Sequence, residues 1–225
     1  MNLVSGNRIT LLKNGAEFFP SLEAAIDAAL EDIRLETYIF EEDRSGIRIA
    51  NALMRAVSRG VSVRVLVDGF GSRQTSMHFF NQMRKVGVTV LFFRPERGWF
   101  DFAKSRVRRV HRKIALVDTH IGFVGGINLI DDFTNNALGS LPRYDYAVKI
   151  EGPIIADIYT SVYRLWRLVS WFNLKRRGVG FEIPLTLKTA VGSATLAFVV
   201  RDNFRHRRDI EREYWQSTAT IAPAL

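Results

Sequence analysis

The stretch HRKIALVDTHIGFVGGIN, residues 111–128, decides how the rest of this chain is interpreted. Two apolar runs, 110–117 and 121–124, are typical of neighbouring strands. Between them, Asp118-Thr119-His120 is typical of a turn. Two apolar strands this close together belong inside a sheet, and the flanking segments indicate the kind of sheet.

Helical and strand patterns alternate on both sides of this stretch. Apolar spacing predicts helices at 20–35, 47–59, 74–85 and 154–172. Runs rich in β-branched or aromatic residues predict strands at 36–40, 61–68, 88–93 and 146–150. Strands that alternate with helices of this length indicate an α/β domain with a largely parallel sheet.

Composition limits the class of protein. The chain has 225 residues, which is enough for a substantial core, and no cysteine, which excludes disulfides and thiolate metal sites. The N-terminus lacks the pattern of a signal peptide, and no apolar run reaches the ~18 residues of a membrane span. The net charge of +9 favours an anionic partner.

Much of the positive charge lies just before and within the stretch 111–128. The segment from Arg94 to Lys113 contains eight Lys or Arg residues and only two acidic residues, Glu96 and Asp101. Aromatic residues are mixed with the cations of Arg94–Arg109, a combination that suits an anionic membrane interface and also single-stranded nucleic acid. A solvated loop is the third interpretation.

The residue types in 111–128 suit phosphodiester chemistry. His111 and Lys113, two apart on a predicted strand, share a face. An imidazole can attack phosphorus, while an ammonium and the Asn128 amide can hold the non-bridging oxygens. Gly125 and Gly126 have no side chain, so we expect their backbone N–H groups to approach a phosphate.

The pattern H-x-K-x4-D-x6-G-G-x-N resembles the signature of the phospholipase D superfamily. The flanking segments ETYIFEEDRSG, VRVLVDGFGS, FFRPERGW and RYDYAVKIEGP are similar to the N-terminal half of bacterial cardiolipin synthases that lack N-terminal membrane helices. The similarity extends from Val4 to Tyr214. It implies a phospholipase-D-like α/β fold with a mixed, largely parallel sheet flanked by helices.

The resemblance also implies a role for each residue. His111 would be the nucleophile or the general acid, and Lys113, Asn128 and Gly126 would bind the substrate phosphate. Asp118 completes the catalytic motif, and we interpret it as a support for the turn. Asp145, in RYDYAVKI, would orient the histidine. The chemistry of this superfamily needs no metal and no cofactor, and the adjacent Asp131 and Asp132 are more typical of a loop or helix cap than of a metal site.

Enzymes of this kind build one active site from two such motifs, and this chain carries one. None of the histidines at 78, 120 and 206 is followed by Lys at +2 and Asp at +7. We predict a catalytic half-domain at 1–172, and at 173–225 a connector with the aborted start of a second repeat, a strand at 196–202 and a helix at 207–214. The apparent truncation leaves half of a site, which a homodimer or a missing C-terminal half would complete.

The leading hypothesis is a cardiolipin synthase-type phosphatidyltransferase with a phosphohistidine intermediate. Its partners would be anionic phospholipids such as phosphatidylglycerol. The segment Arg94–Arg109 would bind them by peripheral contact with the cytoplasmic face of the bacterial inner membrane. Nucleic acid is not the expected partner. A homodimeric single-motif phosphodiesterase or nuclease is the first alternative, and an inactive membrane-binding fragment is the second.

Overall fold

A computed structural model gives the fold and describes residues 3–93, 110–132, 143–173, 194–197 and 220–222. Its strands are β1 (Val4–Lys13), β2 (Asp32–Thr37), β3 (Ser62–Asp68), β4 (Thr89–Phe93), β5 (Ile114–Val117), β6 (Ile121–Gly125), β7 (Tyr146–Glu151), β8 (Ala194–Ala197) and β9 (Thr220–Ala222). Its helices are α1 (Asn14–Ala28), α2 (Arg44–Ser58), α3 (Met77–Val86) and α4 (Ile155–Asn173).

The strands form one mixed sheet in the order β4-β3-β2-β5-β6-β7-β1-β8-β9. The pairs β2/β3 and β3/β4 are parallel, because α2 and α3 carry the chain back across the sheet. Every other neighbouring pair is antiparallel. The α/β class and the mixed sheet with flanking helices are confirmed, but the sheet is mostly antiparallel and the prediction of a largely parallel one was wrong.

The two faces of the sheet carry different layers. Helices α1, α2 and α3 cover one face, where their side chains share a core with Val63, Val65 and Val67 of β3. Helix α4 covers part of the other face, where it packs on Ile114, Leu116 and other strand side chains that point to that face. This division follows from the two-residue period of strands.

The boundary between α1 and β2 differs from the predicted one. We expected a helix at 20–35, but α1 begins at Asn14, contains Pro20 inside it and ends at Ala28. Strand β2 then starts at Asp32 and pairs with both β3 and β5. Ile33 continues the helical spacing, but Ile33 and Leu35 lie two apart on β2 and share the core on one face of the sheet.

The strand register brings several chain segments to one edge of the sheet. Strands β2, β3 and β4 all end there, and β5 begins there because Glu36 pairs with Ile114. Strand β6 returns to the same edge, where Gly125 pairs with Ala147 of β7. In a sheet with parallel strands, the carboxyl edge is the usual position of a ligand site.

The C-terminal part of the chain is described only in part. Strand β8 overlaps the start of the predicted strand 196–202 and pairs with β1. The predicted helix at 207–214 and the basic segment Arg94–Arg109 lie outside the described residues. The division into a half-domain at 1–172 and a second repeat from 173 therefore stays a prediction.

Charged side chains lie buried between β2 and α4. Glu36 is 2% exposed, and its Oε2 lies 3.4 Å from Nη1 of Arg112, while its Oε1 has no hydrogen-bond partner among the described residues. Burial raises the pKa of Glu36 to about 7, against the opposing charges of Arg112 and Arg34.

Replacing Glu36 should therefore change how stability depends on pH. A folded-state pKa above the ordinary value means that stability is greatest below pH 4.5 and is lost as the pH rises through 7. We predict that Glu36→Gln, which cannot titrate, gains roughly 1–3 kcal/mol of unfolding free energy relative to the wild type between pH 4.5 and pH 8. Urea unfolding at both pH values measures this difference, and an equal difference at both would contradict it.

Candidate active site

His111 and Lys113 lie together at the carboxyl edge of the parallel strands, just before β5. Nζ of Lys113 is 2.9 Å from Nε2 of His111 and donates to the His111 carbonyl at 3.2 Å. His111 is exposed at the surface, whereas Lys113 is only 8% exposed. This contact agrees with the prediction that the two side chains share a face, while their roles in a catalytic site stay a prediction.

An aromatic ring from the end of β2 contacts both residues. The ring centroids of Tyr38 and His111 are 5.0 Å apart with an interplanar angle of 54°. Nζ of Lys113 lies 5.4 Å from the centroid of the same ring, within the range of a cation–π contact. Tyr38 therefore forms a wall of the site, a position that sequence analysis did not assign to it.

The pKa values of both motif residues are lowered in this site. The pKa of His111 is lowered to about 4, mainly by desolvation and also by the positive charge of Lys113. Burial lowers the pKa of Lys113 to about 8, although the carboxylates of Asp145 and Asp68 oppose this shift. At neutral pH the site thus holds a neutral imidazole beside a charged ammonium.

Asp145 lies beside the motif, immediately before β7. Its Oδ1 accepts a hydrogen bond from the Tyr146 amide at 2.8 Å, and its own amide donates to Oδ1 of Asn14 at 3.1 Å. The negative charge of Asp145 raises the pKa of Lys113, against the effect of burial. These contacts bring Asp145 into the site, while its role in orienting His111 stays a proposal.

The two glycines have a different role from the predicted one. The Gly125 amide donates to the Lys113 carbonyl at 3.3 Å, and the Gly126 amide donates to the Tyr146 carbonyl at 2.9 Å. Both N–H groups are therefore used within the protein, and the prediction that Gly126 offers its amide to a phosphate was wrong.

Close packing explains why these positions are glycine. A Cβ on Gly125 would lie 2.4 Å from Cα of Ala147, and one on Gly126 would lie 2.0 Å from Oδ1 of Asp145. Real Cβ contacts are not this short. Because they have no Cβ, the two glycines allow β7 and the Asp145 carboxylate to pack closely against the motif.

Asn128 follows β6 at the same edge. Its Oδ1 accepts a hydrogen bond from the Ile39 amide at 3.1 Å, next to Tyr38. Its Nδ2 makes no hydrogen bond to the residues that the structure describes. The fixed carbonyl orients the side-chain amide and leaves two N–H donors for a substrate oxygen.

Asp118 is separated from the other motif residues. It lies at the opposite end of β5, about 20 Å from His111 by strand rise. Its carboxylate accepts hydrogen bonds from the backbone amides that end α1 and begin β2, at 2.7, 2.8 and 3.0 Å, from Leu30, Glu31 and Asp32. Grouping Asp118 with the catalytic residues was wrong, because its carboxylate is used in this connection, as expected of a supporting residue.

Asp131 and Asp132 cap helices, as the sequence indicated. Asp131 accepts from the amide and hydroxyl of Ser45 at the start of α2, and Asp132 accepts from the Gly15 amide at the start of α1 at 2.8 Å. Within the described ranges, no group of three His, Cys, Asp or Glu residues could hold a metal ion.

Sequence reasoning also missed Asp68, the last residue of β3. It is fully buried, and its charge acts on Lys113. The available signal was a carboxylate directly after the buried strand VSVRVLV, at the edge where ligand sites form.

A neutral imidazole, a fixed ammonium and an amide donor at this edge can attack and hold an anionic ester.

Removing the Asp118 carboxylate should destabilise the fold without changing the site. We predict that Asp118→Ala lowers the free energy of unfolding by about 2–3 kcal/mol, because three backbone amides lose their acceptor. The titration of His111, at the other end of β5, should stay unchanged. Urea unfolding and NMR measure these two effects.

Asp27→Ala is the matched control for this variant. It removes a carboxylate whose partner Arg55 is 48% exposed, and it should cost less than about 1 kcal/mol. An Asp118→Ala protein that is as stable as this control would contradict the structural role of Asp118.

The imidazole of His111 should titrate far below an ordinary histidine. We predict an NMR midpoint near pH 4, which moves upward in Lys113→Met because the neighbouring positive charge is lost. His120, exposed in the β5–β6 turn, is the internal reference in the same spectra. A His111 midpoint that is insensitive to Lys113→Met would contradict the contact between the two side chains.

Comparison with known proteins agrees with this geometry. Residues 22–166 match the family described as "Cardiolipin synthase, PLD-like domain". The chain is 37% identical over 215 residues to cardiolipin synthase B of Shigella flexneri and of Escherichia coli K12, covering 93% of this chain and 50% of theirs. It is 33% identical over 166 residues to cardiolipin synthase A of Pseudomonas putida, covering 74% and 34%.

Solved structures share the fold. NucT from Helicobacter pylori superposes with a TM-score of 0.54 at 19% identity, covering 72% of this chain and 96% of that one. Nuc from Salmonella typhimurium, a phospholipase D family member, gives 0.52 at 18% identity, covering 72% and 95%. The chain spans about half the length of the cardiolipin synthases that it matches. The family match and the motif geometry together show that this chain belongs to the PLD-like domain family of cardiolipin synthases.

Proposed function

We propose that this chain supplies one motif of a phosphatidyltransferase of the cardiolipin synthase type. The observation that carries the proposal is the contact between His111 and Lys113 at the carboxyl edge, with the Asn128 amide on the neighbouring turn. The family relationship favours a phospholipid as the substrate. Phosphatidylglycerol, an anionic phosphodiester, suits a site that presents an ammonium.

His111 acts as nucleophile or as general acid. As nucleophile, its neutral imidazole attacks phosphorus, a nitrogen–phosphorus bond forms and the bond to the head-group oxygen breaks. A proton from a second acid goes to the departing alkoxide. A hydroxyl of an acceptor lipid then gives its proton back to that second group and attacks the phosphohistidine, so that the oxygen–phosphorus bond forms, the nitrogen–phosphorus bond breaks and the neutral imidazole is restored. The energy of the diester is retained in the intermediate, so no cofactor takes part.

Lys113 and Asn128 hold the non-bridging oxygens in both steps. The low exposure of Lys113 strengthens its attraction for developing negative charge, since little water screens it. Asp145 accepts a hydrogen bond from the N–H group of His111 in the reacting complex and thereby selects the tautomer of the imidazole. With substrate bound, Lys113 turns from His111 to phosphate and frees Nε2 for attack.

A second histidine has to protonate the leaving group, and this chain carries one motif. We propose that a second copy of the chain, or a second motif-bearing half, supplies it. The cardiolipin synthases matched here are about twice as long as this chain, which favours the second half.

A homodimeric single-motif phosphodiesterase or nuclease is the second candidate. The fold of this chain is compatible with this candidate, since the structural match covers 96% of NucT and 95% of Nuc. It keeps the chemistry of His111 and changes only the substrate.

The proposed site of action is the cytoplasmic face of the bacterial inner membrane, reached by peripheral contact. In the described part of the chain, no helix has the length and apolar character of a membrane span. The basic aromatic segment Arg94–Arg109, which follows β4 at the site edge, is the proposed contact with anionic lipid. The inactive membrane-binding fragment remains the outcome if no turnover is found.

Covalent trapping tests this proposal. Acyl-labelled phosphatidylglycerol in vesicles should leave acid-labile label on the wild-type chain, and His111→Ala should reduce it at least about 100-fold, because the nitrogen that attacks phosphorus is lost. If two copies share a site, the label per chain should rise with protein concentration.

His120→Ala is the matched control, since it removes an exposed histidine at the far end of β5 and should keep full labelling. Undiminished label on His111→Ala would contradict the assignment. Cleavage of single-stranded DNA without reaction on phosphatidylglycerol would favour the second candidate.

A further inference from the structure

We propose that Asp68 is a positioning residue of this site, which fixes the backbone that enters the motif and places a negative charge near Lys113. Its effect on the rate rests on the proposed function. Its effect on the geometry and charge of the motif does not, and it can be measured without turnover.

The carboxylate of Asp68 joins two parts of the chain. Its Oδ1 accepts hydrogen bonds from the amides of Phe70 and Gly71, at 3.0 and 3.1 Å, within its own turn. Its Oδ2 accepts from the amide of Val110 at 2.9 Å. The side chain is 0% exposed, so water does not compete for these bonds.

The bond to Val110 acts directly on the motif. Val110 is adjacent to His111 and 42 residues from Asp68 in the chain. Residues 110–113 were predicted to lie in a strand, but β5 starts only at Ile114. Val110 therefore lies outside β5, and the Asp68 carboxylate anchors its amide.

The charge of Asp68 acts on Lys113. The groups facing this ammonium are His111 from its own segment, Tyr38 from the end of β2, Asp68 from β3 and Asp145 from the start of β7. Of these, the two carboxylates favour the charged form of Lys113, against desolvation. Three backbone N–H groups donate to the Asp68 carboxylate and hold it in place beside the motif.

The turn that Asp68 closes also supports Tyr38. Oγ of Ser72 accepts from the Phe40 amide at 2.9 Å and donates to the Tyr38 carbonyl at 3.3 Å. Gly71 is tightly packed here, because a Cβ on it would lie 2.2 Å from the Tyr38 carbonyl oxygen. The β3–α3 turn thus holds the backbone next to His111 through Val110, and it also holds the backbone of Tyr38.

Asp68→Asn tests the proposal. It keeps the size of the side chain but removes the charge and one acceptor, so the pKa of Lys113 should fall by about one unit. The measurement is an NMR titration of ¹³C-labelled lysine Cε in the 225-residue chain. In an active preparation, the alkaline limb of the pH–rate profile should move to lower pH by the same amount.

Asp43→Asn is the matched control. Asp43 also accepts from its own turn and from a distant amide, through Gly46 at 2.8 Å and Asp131 at 2.6 Å, but its charge does not act on Lys113. A loss of stability alone would affect both variants, whereas the Lys113 titration should move only in Asp68→Asn.

Hydrogen exchange of the wild-type chain covers the case in which Asp68→Asn does not fold. The Val110 amide should exchange at least about 100-fold more slowly than an unstructured amide, because it donates to a buried carboxylate. Fast exchange at Val110, or an unchanged Lys113 titration in folded Asp68→Asn, would overturn the proposal. Undiminished phosphatidyl label on His111→Ala would refute the proposed function but leave both of these results standing.

Discussion

The antiparallel pairing of β5 with β2 is the constraint on which the rest of this structure depends. It joins the parallel strands β2, β3 and β4 to the antiparallel remainder of the sheet. It also directs the start of β5 to the carboxyl edge, where His111 and Lys113 meet the ends of β2 and β3. Asp118 secures the other end of the pairing by binding the amides at the start of β2. The motif therefore has two ends, separated by the length of β5. His111 and Lys113 form the chemical end, and Asp118 forms the structural end.

Electrostatics at the chemical end follow from limited hydration. Desolvation alone would tend to neutralise Lys113, and it also keeps His111 neutral. Asp145 and Asp68 offset part of this effect for the lysine, so an ammonium and an unprotonated imidazole coexist at neutral pH. This is the combination that nucleophilic attack on an anionic phosphodiester requires, since the nucleophile has to be neutral and the non-bridging oxygens need a cation.

Much of this arrangement could be predicted from sequence, and its limits have physical causes. The residue spacing predicted the contact of His111 with Lys113, the capping by Asp131 and Asp132 and most of the elements. It could not reveal the strand order, because the pairing of β5 with β2 depends on contacts far apart in the chain. The same limit hid Asp68 and Tyr38, whose places in the site follow from the edge where β3 and β2 end. The role of Gly126 was wrong because an absent side chain suits both phosphate contact and close packing, and only the position of Asp145 distinguishes them.

In this structure His111, Lys113 and Asn128 lie at one edge of the sheet, where we propose that they form an anion-binding site without Asp118. Titration of the chain with orthovanadate, which mimics a phosphoryl group in transfer, tests it most directly. We expect the NMR signals of the His111 imidazole, the Lys113 ammonium and the Asn128 side-chain amide to shift with a single dissociation constant. The amides of Leu30–Asp32, bound to Asp118, should not move. Shifts at those amides without a response at His111 and Lys113 would contradict the account.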